Sequence, residues 1–94
     1  MKLKIGIMGS SSDSLDPGIK RLAFRVGQSI AEHNCILING ACPGVPFEAS
    51  KGAKKSDGMV IGISPGKDIN DHVNHYKFPT TVFDAIIYSG FGFK

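Results

Sequence analysis

The residues with chemical potential in this chain gather in three small-residue turns. Gly9-Ser10-Ser11-Ser12-Asp13 follows one apolar run, and Gly40-Ala41-Cys42-Pro43-Gly44 follows a second. Gly90 and Gly92 follow a third, near the end of the sequence. Where such a turn opens a helix, unpaired backbone N–H groups and a partial positive charge suit a phosphate. Glycine lets the backbone approach the anion, and serine hydroxyls add donors. Any strand-to-helix turn also favours Gly, Ser and Asp, so spacing alone leaves both readings open. The first turn is neither GxGxxG nor a Walker loop.

The other reactive groups are less pointed. Glu48 falls in the first turns of an expected helix, where a carboxylate complements the dipole. Cys42 lies near a helix N-terminus, where a thiol pKa can fall, but no histidine neighbours it in sequence. His72 and His75, with Asp68 and Asp71, have some look of a metal cluster. The HxxH spacing is loose and no second half-site follows, so a polar surface loop is the expected reading. No metal and no cofactor is assigned. Lys51, Lys54 and Lys55 form the one local basic cluster and read as a solvated helix face.

These turns need elements to hold them. Lys4 to Met8 reads as a strand, and its unbroken apolarity suggests burial on both faces of a parallel sheet. Asp16-Pro17 looks like a cap and first position of a helix. Ile19, Leu22, Ala23, Val26 and Ile30 continue it at helical spacing, so this helix spans Pro17 to His33. Cys35 to Asn39 is a second strand, Pro46 to Asp57 a second helix, and Met59 to Ser64 a third strand. Lys67 to Thr81 is polar and carries Pro79, so it reads as loop with at most one helical turn. Phe83 to Tyr88 is a fourth strand.

Strands alternating with helices imply right-handed βαβ units and an α/β fold with a parallel sheet. The expectation is a Rossmann-like three-layer αβα domain with strand order 3-2-1-4. Ligands would bind beyond the C-terminal strand ends, at a switch point between strands one and four.

The chain has 94 residues, which predicts one domain over 1–94. Hydrophobic content is 41% and charged content 20%, ordinary for a globular protein. A net charge of +3 is mild, and the lysines lack interleaved aromatics, so nucleic acid is an unlikely partner. Cys35 and Cys42 fall near opposite ends of the second strand, roughly 20 Å apart at about 3.3 Å per residue. That is too far for a disulfide and suits a reducing compartment. No apolar run reaches the ~18 residues of a membrane span, and none matches a signal peptide, so a cytoplasmic protein without membrane contact is expected.

Taken in order, IGIMGSSSD, NGACPGVPFEASKGA, MVIGISP and PTTVFDAIIYSGFGFK resemble the LOG family over nearly the whole chain. These Rossmann-like, lysine-decarboxylase-like proteins of the SLOG superfamily include cytokinin-activating phosphoribohydrolases. The match is closer to a bacterial branch with a G-A-C-P-G turn. The wider superfamily includes DNA-processing proteins that bind single strands. The resemblance implies that Gly9, Ser10 and Ser11 form the first nucleotide-contacting loop. It implies that Gly40, Ala41 and Gly44 form the glycine-rich turn, and that Gly90 and Gly92 form the loop after strand four. Ala41 departs from the glycine many relatives carry.

The family's catalytic arginine and its PGGxGTxxE motif are not in this sequence, whose arginines are Arg21 and Arg25 on the first helix. The resemblance therefore implies the N-terminal half of a larger fold, truncated after strand four. That half would bind a nucleoside monophosphate such as AMP without catalysing a reaction itself. The parent would be a phosphoribohydrolase or, alternatively, a non-catalytic nucleotide sensor. An open fourth strand, with Phe78, Phe83, Phe91 and Phe93 short of apolar neighbours, predicts a homo-oligomer that self-associates through that strand.

Overall fold

The hydrophobic periodicities become elements with little adjustment. β1 (Lys4–Gly6), α1 (Pro17–Glu32), β2 (Ile36–Asn39), α2 (Val45–Lys55), β3 (Met59–Ser64) and β4 (Ala85–Tyr88) follow in order. One π-helical turn, Asp71–His75, interrupts the long connection between β3 and β4. The structure is a computed structural model and describes residues 2–12 and 14–92. Asp13 of the first turn, and Phe93 and Lys94 at the end, lie outside the described residues.

Local chemistry sets the helix ends. Asp16 Oδ2 accepts the Gly18 N–H at 2.9 Å, and Pro17 fills the first helical position of α1. Asn34 turns the chain out of α1 with a φ of 58°, in the left-handed region. α2 carries Glu48 in its first turn and Lys54 and Lys55 in its last, each complementing the helix dipole.

The two helices pack against each other more extensively than any other pair of elements. They meet at glycines. A methyl group on Gly27 would overlap the Ala49 carbonyl, and one on Gly52 would overlap the Phe24 carbonyl. Beneath them Ile30, Leu37, Ala49, Ala53 and Val60 form the buried core, with Ile7, Ala31, Cys35 and Phe83 at its margin.

The four strands are all parallel, as the α/β, Rossmann-like expectation requires. Their order is β1-β2-β3-β4, not 3-2-1-4. The run of β1, β2 and β3 is common to both orders, and the difference is the side taken by β4. It pairs with β3, so β1 and β4 are opposite edges and no switch point forms between them. Asp84 explains the choice. Its carboxylate accepts the Val60 N–H at 2.7 Å and Lys54 Nζ at 2.8 Å, which ties the start of β4 to β3 and α2. At the other end the Ser89 N–H donates to the Ser64 carbonyl at 3.0 Å.

Side chains alternate across the sheet. Leu37 and Val60, in register with each other, are completely buried on the helix side. On the opposite face Met59, Ile63 and Ile87 are exposed. β1 is exposed at all three of its residues, against the burial its apolarity predicts. The reason is positional: it is an edge, and among the described residues nothing lies beyond it.

Candidate functional site

The turn after β2 is held by a buried polar clamp. Asn39 Nδ2 donates to the Ser50 hydroxyl at 2.7 Å and to the Pro46 carbonyl at 3.1 Å. Asn39 Oδ1 accepts the Ala41 N–H at 2.8 Å, and Ser50 Oγ donates to the Pro46 carbonyl at 2.8 Å. Every polar atom of the clamp is thereby used, which is what burial demands. Ala41 takes a φ of 57° and is fully buried, with its methyl against Gly62. It supports the turn from inside, with no exposed surface.

The clamp leaves Gly40 at the rim of a cleft of about 390 Å³ beyond the C-terminal ends of the strands. Gly40, Cys42, Ser64, Pro65, Ser89 and Gly92 are among its walls. The loop after β4 folds over the strand ends through Gly90 N–H to the Gly66 carbonyl at 3.0 Å and Gly92 N–H to the Pro65 carbonyl at 3.1 Å. Both glycines have left-handed φ, 71° and 66°, which a side chain would resist. Gly92 lines the cleft, whereas Gly90 shapes the loop from outside it.

The remaining predicted residues form a separate cluster. The Val45 N–H, first in α2, donates to the Ser10 carbonyl at 2.8 Å. Gly44 lies against the backbone of Ser10 and Ser11, and Gly9 packs on the Val45 side chain. Ser10 Oγ accepts the Ser12 N–H at 3.1 Å. So one N–H at the start of α2 is spent on a neighbouring loop. Beside this contact lies a smaller cleft of about 180 Å³, whose walls include Ser12, Lys20, Gly44, Phe47 and Glu48. The structure thus joins Gly9, Ser10, Ser11 and Gly44 in one place, and Gly40 and Gly92 in another.

The sequence reading missed a buried pair. His72, expected in a polar surface loop, has no exposed surface. Its Nε2 lies 2.7 Å from the Pro79 carbonyl, and its Nδ1 lies 2.7 Å from Ser64 Oγ. A carbonyl only accepts, so Nε2 carries the proton and Nδ1 accepts from the serine hydroxyl. Ser64 Oγ in turn accepts the Gly66 N–H at 3.0 Å. Both ring nitrogens are therefore occupied, and His72 pins the β3–β4 connection beside the cleft wall. Seven residues separate Ser64 from His72, so no local spacing announces the pair. The Cys42 thiol is not activated by its place near a helix N-terminus. Burial pushes its pKa up, against a smaller lowering by a backbone hydrogen bond, so it stays protonated at neutral pH.

Two of the three lysines of α2 are engaged, and Lys55 is exposed. Lys51 Nζ pairs with Glu48 at 2.9 Å, and Lys54 pairs with Asp84 at 2.8 Å. No helix among the described residues is long and apolar enough to cross a membrane.

Comparison with known proteins places this geometry. The chain is 34% identical to the molybdenum cofactor binding protein of Rippkaea orientalis, with a TM-score of 0.80, covering 98% of this chain and 52% of that one. It is 30% identical to the molybdenum cofactor carrier protein of Chlamydomonas reinhardtii, with a TM-score of 0.81, covering 100% of this chain and 52% of that one. An uncharacterized protein of Archaeoglobus fulgidus is 44% identical over 68 residues, which is 71% of this chain and 44% of that protein. The chain thus spans about half the length of these relatives. The SLOG cluster4 family model matches residues 2–94, the superfamily to which the turns themselves pointed. The chain belongs to the SLOG cluster4 family.

Proposed function

We propose that this chain is the ligand-binding portion of a small-molecule carrier, and that its cargo is a phosphorylated heterocycle of the molybdenum cofactor class. The observation that carries the reading is the cleft of about 390 Å³ bounded by Gly40, Ser64, Ser89 and Gly92. It lies where open α/β sheets bind ligands, beyond the strand carboxyl ends. Its walls present apolar carbons and backbone, while the Ser64 and Ser89 hydroxyls bond internally, Ser64 to His72 and Gly66 and Ser89 to the Ser64 carbonyl. These suit holding a flat polar ring more than breaking a bond. The likeness to cofactor-binding and carrier proteins supports the cargo class.

A second reading keeps a nucleoside monophosphate such as AMP as the ligand. Gly9, Ser10, Ser11 and Gly44 favour it, with Lys20 lining the neighbouring small cleft as a cation for phosphate. On this reading the chain binds a nucleotide, as part of a phosphoribohydrolase or of a sensor. Single-stranded nucleic acid is disfavoured, because Lys51 and Lys54 are already paired with carboxylates.

Anaerobic equilibrium dialysis against molybdenum cofactor, with AMP as competitor, separates these readings. Retention of cofactor that AMP does not displace supports the carrier. Retention of AMP alone replaces it with the nucleotide reading, and retention of neither overturns both. Amide NMR shifts at Gly40, Ser89 and Gly92 locate cofactor in the larger cleft, whereas shifts at Gly9, Ser10 and Gly44 locate nucleotide in the smaller one.

A further inference from the structure

One wall of the larger cleft hangs from the turn Ser64-Pro65-Gly66. The Ser89 N–H and hydroxyl both donate to the Ser64 carbonyl, at 3.0 and 2.7 Å. The Gly90 and Gly92 N–H groups donate to the Gly66 and Pro65 carbonyls. The turn itself is fixed by Ser64 Oγ, which accepts the Gly66 N–H at 3.0 Å and donates to His72 Nδ1 at 2.7 Å. There is no slack behind it. A methyl on Gly66 would stand 3.0 Å from the His72 backbone nitrogen. His72 lies behind the cleft walls and not among them, so it acts on the cleft only through this turn.

The arrangement fits one protonation state of the ring. Nε2–H is given to the Pro79 carbonyl, and the Nδ1 lone pair takes the Ser64 proton. A further proton goes to Nδ1 and turns it into a donor. Ser64 Oγ then meets two donors, Nδ1–H and the Gly66 N–H, and its own proton loses its acceptor. The buried ring also gains a charge. β3 brings Ser64 and no titratable side chain, and β4 brings the Tyr88 ring, edge-on at 5.9 Å. The connection brings the Phe78 ring and the Pro79 carbonyl. On the turn of His72 itself, Asp68 Oδ1 accepts the Asp71 N–H. The Asp71 carboxylate accepts the Lys67 N–H and lies 3.6 Å from His75 Nδ1. Among the described residues no carboxylate pairs with His72. An imidazolium here has no counter-charge, and burial without one is costly.

We propose that His72 is a positioning residue of the cleft, and that its protonation frees the loop after β4, so that the cleft holds its cargo while the imidazole is neutral and lets it go in acid. The release of cargo rests on the carrier reading, whereas the movement of the loop does not. A carrier must part with what it carries, and this coupling does so without the histidine touching the cargo. Buried histidines act as proton switches in this way, by biasing an element with two arrangements.

NMR of the ¹⁵N-labelled chain, without ligand, tests the switch from about pH 8 to about pH 5, the window in which imidazoles change charge. The His72 ring nitrogens and the Gly66, Gly90 and Gly92 amides are followed together. The expected result is one shared midpoint, with hydrogen exchange of the three amides accelerating as the ring is protonated. His72→Asn offers Ser64 an acceptor that does not titrate, and should abolish the shared transition. Should that variant unfold, as circular dichroism would show, Ser64→Ala serves instead: the ring still titrates but the amides no longer follow it. Anaerobic equilibrium dialysis against molybdenum cofactor at both ends of the window reads the consequence, a loss of affinity of about tenfold in acid that His72→Asn removes. A ring that stays neutral throughout, amides that ignore its protonation, or collapse of the whole spectrum at that midpoint overturns the switch. Equal retention of cofactor at both ends overturns the release. Retention at neither end refutes the carrier reading instead, and the ligand-free amides then decide the switch by themselves.

Discussion

Ser64 Oγ stands 2.7 Å from His72 Nδ1, and neither residue has any exposed surface. The pair joins the end of β3 to the loop that crosses toward β4. The aromatic rings of Phe78 and Tyr88 meet the imidazole edge-on at 5.7 and 5.9 Å. The loop is thus held by one side chain with two hydrogen bonds and two ring contacts.

Removing that side chain should loosen the loop before anything else. His72→Ala leaves the Ser64 hydroxyl and the Pro79 carbonyl without their partner and opens a cavity, a loss of roughly 2–4 kcal/mol. Urea unfolding followed by circular dichroism measures it, and hydrogen exchange should accelerate first at the Gly66 and Phe78 amides. Wild-type stability in the variant would show that the pair contributes nothing.

Gly44 is the tightest point between the two loops at the start of α2. Its φ of 86° is one that side chains rarely adopt, and a methyl there would overlap the Ser10 carbonyl. Gly44→Ala should therefore cost about 2 kcal/mol, or roughly 10 °C in Tm for a domain of this size. Differential scanning calorimetry decides it. An unchanged Tm would mean that the Ser10–Val45 contact yields without cost.

Asp84 should make stability fall in acid. Partial burial acts to raise its pKa, but hydrogen bonds from Lys54 and the Val60 N–H, with the Lys54 charge, outweigh it and lower the pKa from 3.8. A carboxylate with a lowered folded pKa contributes stability above its unfolded value of about 3.9 and loses it as pH falls through the folded value. Asp84→Asn should flatten this part of the acid limb below about pH 4 and cost on the order of 1 kcal/mol or less at pH 7, because the pair is partly exposed. Parallel limbs for wild type and variant in a pH series of urea midpoints would assign the acid sensitivity to other carboxylates.

Much of the local structure was legible from residue types. Asp16-Pro17 marked the start of α1, and the run from Met59 to Ser64 was β3 to the residue. These depend on caps, backbone preferences and hydrophobic spacing, which neighbours in sequence determine. Gly40 and Gly92, expected in ligand-contacting turns, line the larger cleft, where glycine permits close backbone approach. Ala41 and Gly90 were not separable from them in sequence, since a residue facing a cleft and one supporting it from behind can share one short loop.

By itself, then, the sequence determined the kinds of elements, their bounds within a few residues, and the parallel βαβ architecture. The tertiary structure decided which edge β4 joins, and so where the loops gather. That choice rests on Asp84 reaching Val60 and Lys54, and on His72 reaching Ser64. Such contacts link residues far apart along the chain, and periodicity over a dozen residues carries no record of them. The β3–β4 connection therefore fixes the topology, although its own sequence reads only as a polar loop.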